Sequence, residues 1–546
     1  MTQNATKIAA SFLILLFAAQ AFGSLFYKCA TIDEVLYIPA GYVYLKSGSY
    51  MLNPETPPLP RILCGIPLIF LNGIHYDPKE PVAAFQDRYH WSFRFLFFQN
   101  AALAGKMIFY SRLPTILMGM ALLAAIYSWT SKLFGPVAGL FSLALAALEP
   151  NLIAHSSLAT TDLYTAAMIF FTLYSFWNWR QNPEQTKLLL FPGLFLGLAL
   201  LSKSSAWLMV PVLFFLSLPS LKNVLRFGVI LLVALAVINI VFLFHGAFVD
   251  KQELISFMLR EKAGKFWLLR IILFPFPRLY SFSMLFNLSQ SMGGVHPFPF
   301  FLNGQYSNTG FWNYFLFAFL LKTPLPFLFS LMIAMFFLFK MRQSWFILLP
   351  PLFFLFYFSF LNRLDLGLRY VLPIYPFFLV AAGAIIPKII NLPRAKILLA
   401  ILVLWSAASA ARIYPYHLAY FNEFSGGSNN GYKHLVDSNL DWGQDLVGLK
   451  SFVQKYGIDR IRLSYYGMSD PAYYGINYQY LPSPKFQPWT QRHRNEENFK
   501  LEKGIYAISA TNISGIFLQN HDTYQYFRRL EPIDSIGHSI LIYQIK

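Results

Sequence analysis

Two adjacent carboxylates, Asp33 and Glu34, follow the first long apolar run of the chain, in Thr31-Ile32-Asp33-Glu34. Acids at a membrane boundary are costly if they face lipid, so they either point into a polar cavity or end a solvated helix. In a cavity, such a carboxylate can act as a general base towards an incoming hydroxyl. A third acid, Asp162, closes the run from Ala154-His155 to Thr160-Thr161-Asp162. It can join the same chemistry, or simply cap the helix that follows, since acids favour helix N-termini.

Cationic and metal-competent groups are spread through the same chain. Glu55 and Arg61 lie in Asn53-Pro54-Glu55-Thr56-Pro57-Pro58-Leu59-Pro60-Arg61, where the prolines enforce a rigid, non-helical loop. Glu55 suits a metal or a sugar hydroxyl, and Arg61 suits a phosphate through charge-assisted hydrogen bonds. An ordinary Pro-rich turn with flanking charges is the other reading. Lys203 and Lys322 stand at the ends of apolar segments, where each can neutralise a lipid phosphate or merely snorkel to the interface. Arg369, in Leu366-Gly367-Leu368-Arg369-Tyr370, sits just inside an apolar segment and must find a partner, for which a phosphate is well matched. His296, in Gly293-Gly294-Val295-His296-Pro297, is a lone histidine; a metal role would need Glu55 or another ligand beside it. No Gly-rich phosphate loop, Ser-His-Asp order or zinc spacing is present.

What must position these residues is membrane structure. Of 546 residues, 56% are hydrophobic and 12% charged, against about 25% charged in an ordinary soluble chain. With a mean hydropathy of +0.47, no soluble fold hides that much apolar surface. The formal net charge of +18 does not form a basic stripe with interleaved aromatics, and many of the basic residues sit in short loops between apolar runs, so nucleic-acid binding is the weaker reading. Those runs fall near 8–27, 108–130, 135–149, 162–179, 188–202, 204–219, 227–245, 324–339, 345–361, 367–386 and 397–411, about eleven spans. The weakest pair, 188–202 and 204–219, meets at Lys203. The first run is long enough to span and is read as an uncleaved helix, with a signal peptide as the alternative.

Lys and Arg orient the spans. With Lys7 inside, the inner loops carry Lys132, Arg180, Lys187, Lys222, Arg226, Lys340, Arg342, Lys388, Arg394 and Lys396, with Glu184 as their acid. The C-terminus then lies outside. The expected organisation is a membrane domain over 1–412, with long outer loops 28–107 and 246–323, and a small extracytoplasmic α/β domain over 413–546. The second loop starts with an amphipathic stretch, Lys251 to Lys265. In the tail, Leu446, Leu449, Val453 and Tyr456 recur at helical spacing near 443–456. Short β-rich stretches lie near 459–466, 504–510 and 538–545. Cys29 and Cys64 both fall on the outer side, as two reduced thiols or a single bridge rather than a disulfide framework. So large a polar mass on one face suits an enzyme at the outer surface. Such an enzyme needs a base for the acceptor, cations for a departing phosphate and a hydrophobic groove for a lipid tail.

The quoted segments, taken in order, resemble the polyprenyl-phosphate-dependent glycosyltransferases of the GT-C class, in the superfamily of protein O-mannosyltransferases and aminoarabinose lipid A transferases. The resemblance runs over nearly the whole chain. It rests on Asp33-Glu34, Pro-Glu-Thr-Pro-Pro-Leu at 54–59, the run ending at Asp162, and Leu-Ser-Lys at 201–203. It continues through Leu-Lys-Thr-Pro-Leu-Pro at 321–326, Leu-Gly-Leu-Arg-Tyr at 366–370, Tyr420-Phe421-Asn422-Glu423, Gly426-Gly427 and Asp437-Ser438-Asn439-Leu440-Asp441-Trp442-Gly443-Gln444-Asp445-Leu446. It is similar to a bacterial subgroup described only as phospholipid-carrier-dependent.

The resemblance implies a polytopic α-helical GT-C fold in the cell (inner) membrane and a sugar donor on undecaprenyl or dolichyl phosphate. The acceptor would be an extracytoplasmic glycan, lipid or protein. It implies Asp33 as the base of an inverting single displacement, with Glu34 beside it and Asp162 assisting in the same cavity. Arg369 and Lys203 would face the donor phosphate. Glu55 and His296 would be the positions of a possible divalent metal ion, as in the aminoarabinose branch. That branch has Lys where this chain has Thr56, which weakens the phosphate contact there and the metal with it. No family role falls on Asn439, Asp441 and Trp442; they either line an acceptor-sugar site or cap and pack the following helix. A lipid-linked-sugar flippase would show inverted repeats and mid-membrane ionisable residues, which the sequence lacks. A receptor scaffold would have a tail that binds alone.

Overall fold

The computed structural model describes residues 3–78, 87–218, 220–259, 267–292, 298–341, 344–493 and 499–546. His296, with Gly293 to Pro297, lies outside the described residues. So do Arg342 and the end of the amphipathic stretch that closes at Lys265.

The membrane body is helical, as its apolar runs demand. Four helical stretches, Asn4–Tyr27, Ala101–Phe134, Leu221–Val241 and Ala395–Ile413, are long and apolar enough to cross a bilayer. Two bent pairs, Pro136–Ala147 with Pro150–Ser156 and Tyr314–Lys322 with Leu325–Leu338, bring the number to six if each pair is one span. The other apolar runs hold the helix Asp162–Gln181 and shorter apolar helices, Thr186–Leu200, Ser204–Ser217, Trp345–Leu361 and Ile374–Ile389. The doubtful pair around Lys203 is thus two helices, with Lys203 in extended backbone between them. Ile8, Phe12, Leu15, Leu225 and Leu232 are exposed, as expected where the solvent is lipid.

Close helix packing comes from small residues. A Cβ on Gly193 would lie 2.6 Å from Val233 Cβ, and one on Gly197 2.7 Å from Val237 Cβ, so helix Leu190–Leu200 rides tightly on Leu221–Val241. Helices Ile32–Ser47 and Leu59–Ile69 cross at glycines: a Cβ on Gly65 would meet the Gly41 carbonyl carbon at 2.5 Å. That crossing carries both the Asp33 end of one helix and the proline loop before the other.

The tail holds a five-stranded mixed sheet in the order Tyr478–Tyr480, Ile461–Ser464, Gly504–Ser509, Ile540–Ile545, Asp534–Ile536. Gly504–Ser509 runs parallel to Ile461–Ser464 and antiparallel to Ile540–Ile545, with Tyr506 opposite Tyr543. Helix Leu446–Lys455 buries Leu446 and Leu449. One apolar cluster joins this domain to the first outer segment: Val35, Leu36 and Tyr44 pack in the same core as Trp442, Leu446 and Ile461. Backbone bonds reinforce the seam, from Cys29 N to Gln444 O at 2.9 Å and from Ile32 N to Trp442 O at 3.1 Å. Cys29 and Cys64 are free and buried, Cys29 Sγ against Gly443 O and Cys64 Sγ near Thr115 and Tyr164.

Candidate active site

Asp33 opens helix Ile32–Ser47, which starts where the tail grips residues 29–32. Its Oδ2 accepts from Arg369 Nη1 at 2.7 Å. Arg369 sits on a short 3₁₀ turn, Leu368–Tyr370, entered through Gly367 at φ 92°. Only glycine fits there, because a Cβ would meet Ser438 Oγ at 2.5 Å. The guanidinium also donates through Nε to Leu366 O at 3.1 Å and faces the Trp442 ring at 4.5 Å. Close by, Asp162 Oδ1 accepts from Lys203 Nζ at 2.8 Å, and Lys203 lies 4.0 Å from the Tyr370 ring. His155 Nδ1 stands 3.9 Å from Asp162 Oδ2. Both of these buried atoms lack a hydrogen-bond partner in the protein. Asp162 and Asp437 are near enough to act on the Arg369 charge. The four residues Asp33, Arg369, Asp162 and Lys203 therefore form one constellation of alternating charge, walled by Trp442, Tyr370 and His155.

The other sequence candidates have different work. Glu34, expected beside Asp33 as a catalytic group, is fully buried and saturated. It receives Arg112 Nε at 2.8 Å and Nη2 at 2.7 Å, Ala159 N at 2.8 Å, and Thr31 N and Oγ1 at 2.9 and 3.0 Å. Burial alone would raise this carboxyl, but Arg112 and the two amides more than reverse that, so it stays ionised. Glu34 is a structural anchor, with no room for a reacting hydroxyl. Arg61, expected on a phosphate, turns back on its own loop and donates to Thr56 Oγ1 and the carbonyls of Thr56 and Pro57, while stacking 5.0 Å from Tyr37. Lys322, the other phosphate candidate, is buried and donates to the carbonyls of Leu418, Tyr420 and Asn439. It ties the tail to the membrane body, and its three ammonium hydrogens are used up in doing so.

Asn439, Asp441 and Trp442 are buried. Asn439 Oδ1 receives Leu368 N at 2.9 Å and its Nδ2 donates to Tyr314 OH at 2.8 Å. Asp441 is sealed beneath the tail sheet, where it accepts from Thr511 N at 2.9 Å, and burial pushes its carboxyl up to about 8. Trp442 is 2% exposed. Together with Ser438, whose Oγ donates to Leu366 O at 3.1 Å, this segment clamps the backbone on both sides of the Asp33–Arg369 pair.

Glu55 Oε1 receives Arg88 Nη2 at 2.9 Å and Asn53 Nδ2 at 3.3 Å; its Oε2 is buried and unpartnered. Its carbonyl accepts from Ser283 and Asn287, which joins the two outer loops. Among the described residues no three of His, Cys, Asp and Glu gather to hold a metal ion, and Arg88 already supplies the counter-charge at Glu55.

Sequence reasoning missed Arg112, Arg88, His155 and Asp437. Arg112 had a signal: an arginine inside an apolar helix, Ala101–Phe134, demands a buried partner. Asp437 had none, since its neighbour in space is Tyr466, whose OH donates to it at 2.6 Å.

Residues 93–245 match the family described as dolichyl-phosphate-mannose-protein mannosyltransferase. The matched residues include Asp162 and Lys203 but not Asp33, Glu55 or Arg369. No curated protein sequence matches the chain. Among solved structures, ArnT from Cupriavidus metallidurans bound to undecaprenyl phosphate aligns at 11% identity over 99% of this chain and 98% of that chain, TM-score 0.49. The apo oligosaccharyltransferase of Archaeoglobus fulgidus aligns at 14% identity over 76% and 55%, TM-score 0.46. The S. cerevisiae Pmt1-Pmt2 complex bound to its sugar donor aligns at 17% over 45% and 33%, TM-score 0.32.

Proposed function

We propose that this protein transfers a sugar from a polyprenyl-phosphate carrier, of undecaprenyl or dolichyl type, to an acceptor hydroxyl on the outer side of the cell (inner) membrane. In this reading about eleven segments cross the membrane and residues 413–546 stand outside. Asp33 takes the acceptor proton as the acceptor oxygen bonds to the anomeric carbon. The bond from that carbon to the phosphate oxygen breaks in the same step, with inversion, and polyprenyl phosphate leaves as the anion. Arg369 and Lys203 stabilise the charge that builds on the departing phosphate. Asp162 holds Lys203 in place.

The observation that carries this reading is the gathering of two carboxylates and two cations at helix ends beside Trp442 and Tyr370. A groove of about 220 Å³ beside them supports it. Ser204, Trp207, Leu273, Leu285 and Tyr370 are among its lining residues, so an apolar slot for a prenyl chain adjoins Lys203.

The test is a transfer assay on the purified protein in liposomes, offered a panel of radiolabelled polyprenyl-phosphate sugars and envelope material as acceptor. Label should leave one carrier and appear in acceptor. Specific binding without turnover, together with movement of the intact lipid across the bilayer, would make the protein a flippase instead.

A further inference from the structure

The residues expected to cradle an acceptor are buried, yet the tail has another opening. A cleft of about 740 Å³ lies where the second outer loop meets the tail sheet, lined by Tyr480, Phe486, Phe517, Gln519, Asn520 and Thr523 among others. Its volume falls within the range of about 300–1,000 Å³ typical of small-ligand sites. We propose that this cleft binds the glycan part of the acceptor as neutral, hydroxyl-rich sugar rings, an inference that rests on the glycosyl-transfer reading above.

The lining matches that chemistry. Aromatic ring faces carry partial negative charge and attract the weakly positive C–H faces of a sugar. Phe486 is 39% exposed and meets Phe517 edge-on at 5.8 Å, so an aromatic corner stands open. Gln519 and Asn520 are exposed beside it. Asn520 Oδ1 already accepts from Asp522 N at 2.9 Å, which leaves its NH₂ as donor, and amides bond sugar hydroxyls as both donor and acceptor. The charged lining residues are one of each sign, Lys485 and Asp522, and that balance favours a neutral ligand over an anionic one.

The cleft is connected to the candidate site through Phe517. Phe517 lines a second, smaller cavity that reaches Leu366 and Asp437. Tyr466 stacks on Phe517, with centroids 5.2 Å apart and planes within 3°, and passes its hydroxyl to Asp437, which in turn acts on Arg369. Phe517 thus links the cleft, through Tyr466 and Asp437, to the Arg369 side of the pair.

Binding of mannopentaose, maltopentaose and chitopentaose to the full-length protein in detergent, followed by saturation-transfer NMR and titration calorimetry, tests this. At least one should bind saturably, and Phe486→Ala and Asn520→Ala should each weaken it by about tenfold. Both positions are exposed, so the variants should fold. Release of labelled sugar from its polyprenyl phosphate to water should be unchanged in both variants, whereas Asp33→Asn should stop that release and leave oligosaccharide binding intact. No binding by any of the three, binding that survives both substitutions, or binding only of a Ser/Thr-containing peptide would overturn the proposal. Loss of sugar release in the wild type would instead count against the transfer reading itself.

Discussion

Arg369 Nη1 donates to Asp33 Oδ2 at 2.7 Å, joining residues 336 positions apart, and the same guanidinium faces Trp442 at 4.5 Å. The pair couples the proposed base to the proposed phosphate-side cation. Arg369 can hold Asp33 in line and still offer other N–H groups to a phosphate, because its fork carries five donors. Lysine keeps the charge and loses that geometry. Arg369→Lys should lower the transfer rate at saturating donor by about a hundred- to a thousandfold, read from label transferred per unit of folded protein. An unchanged rate would remove Arg369 from the chemistry.

Asn439 should act through position rather than contact. Asn439→Ala frees Leu368 N and Tyr314 OH in a buried place, costing about 1–3 kcal/mol. The melting temperature should fall, and turnover should fall with it as the Arg369 turn loosens. Asn439→Asp keeps an acceptor for Leu368 N and should recover part of the rate. Kinetics of both variants beside their melting curves check this.

Glu34 and Asp33 are neighbours with opposite expected phenotypes. Breaking the buried Glu34–Arg112 pair leaves an uncompensated charge, at about 3–5 kcal/mol. Arg112→Ala should give aggregated or low-yield protein by size-exclusion chromatography. Glu34→Gln keeps a hydrogen-bonding carbonyl and should be milder. A well-folded, inactive Arg112→Ala would contradict the structural role.

Asp441 makes stability depend on pH. Burial raises its folded-state carboxyl from 3.8 to about 8, so the folded protein holds this proton more tightly than the unfolded chain does. The stabilisation is complete below about pH 4 and is lost as pH rises towards 8. Asp441→Asn removes the titration, and its melting temperature should vary less between pH 5 and 8 than that of the wild type, on the scale of the shift cited. Parallel pH slopes in the two proteins would contradict it.

A chelator should leave transfer unaffected, since Arg88 already balances Glu55. Activity lost to EDTA and restored by one divalent ion would place a metal at Glu55.

Much of the scaffold was legible because its signals are local. Apolar runs mark helices, and the β-rich stretches near 459–466, 504–510 and 538–545 contain the strands Ile461–Ser464, Gly504–Ser509 and Ile540–Ile545. Strands Tyr478–Tyr480 and Asp534–Ile536, three residues each, are too short to show a period. Span number was less legible, because bent and short helices do not reveal by length alone whether they cross. Charged residues divide in the same way. Asp33, Asp162, Lys203 and Arg369 stand out by type at apolar boundaries, but type cannot separate them from Arg61 or Lys322. What separates them is partners: Lys322 meets carbonyls supplied by the tail about a hundred residues on, a long-range pairing that no local pattern encodes.

The measurement that bears most directly on the account is the transfer rate of Asp33→Asn in liposomes, with donor binding measured on the same preparation. Loss of the general base should cut transfer by about a hundred- to ten-thousandfold while the lipid-linked sugar still binds. Full transfer by well-folded Asp33→Asn protein would contradict the account, because no other carboxylate in the constellation is placed to replace it: Glu34 is saturated by Arg112 and Asp162 is held by Lys203.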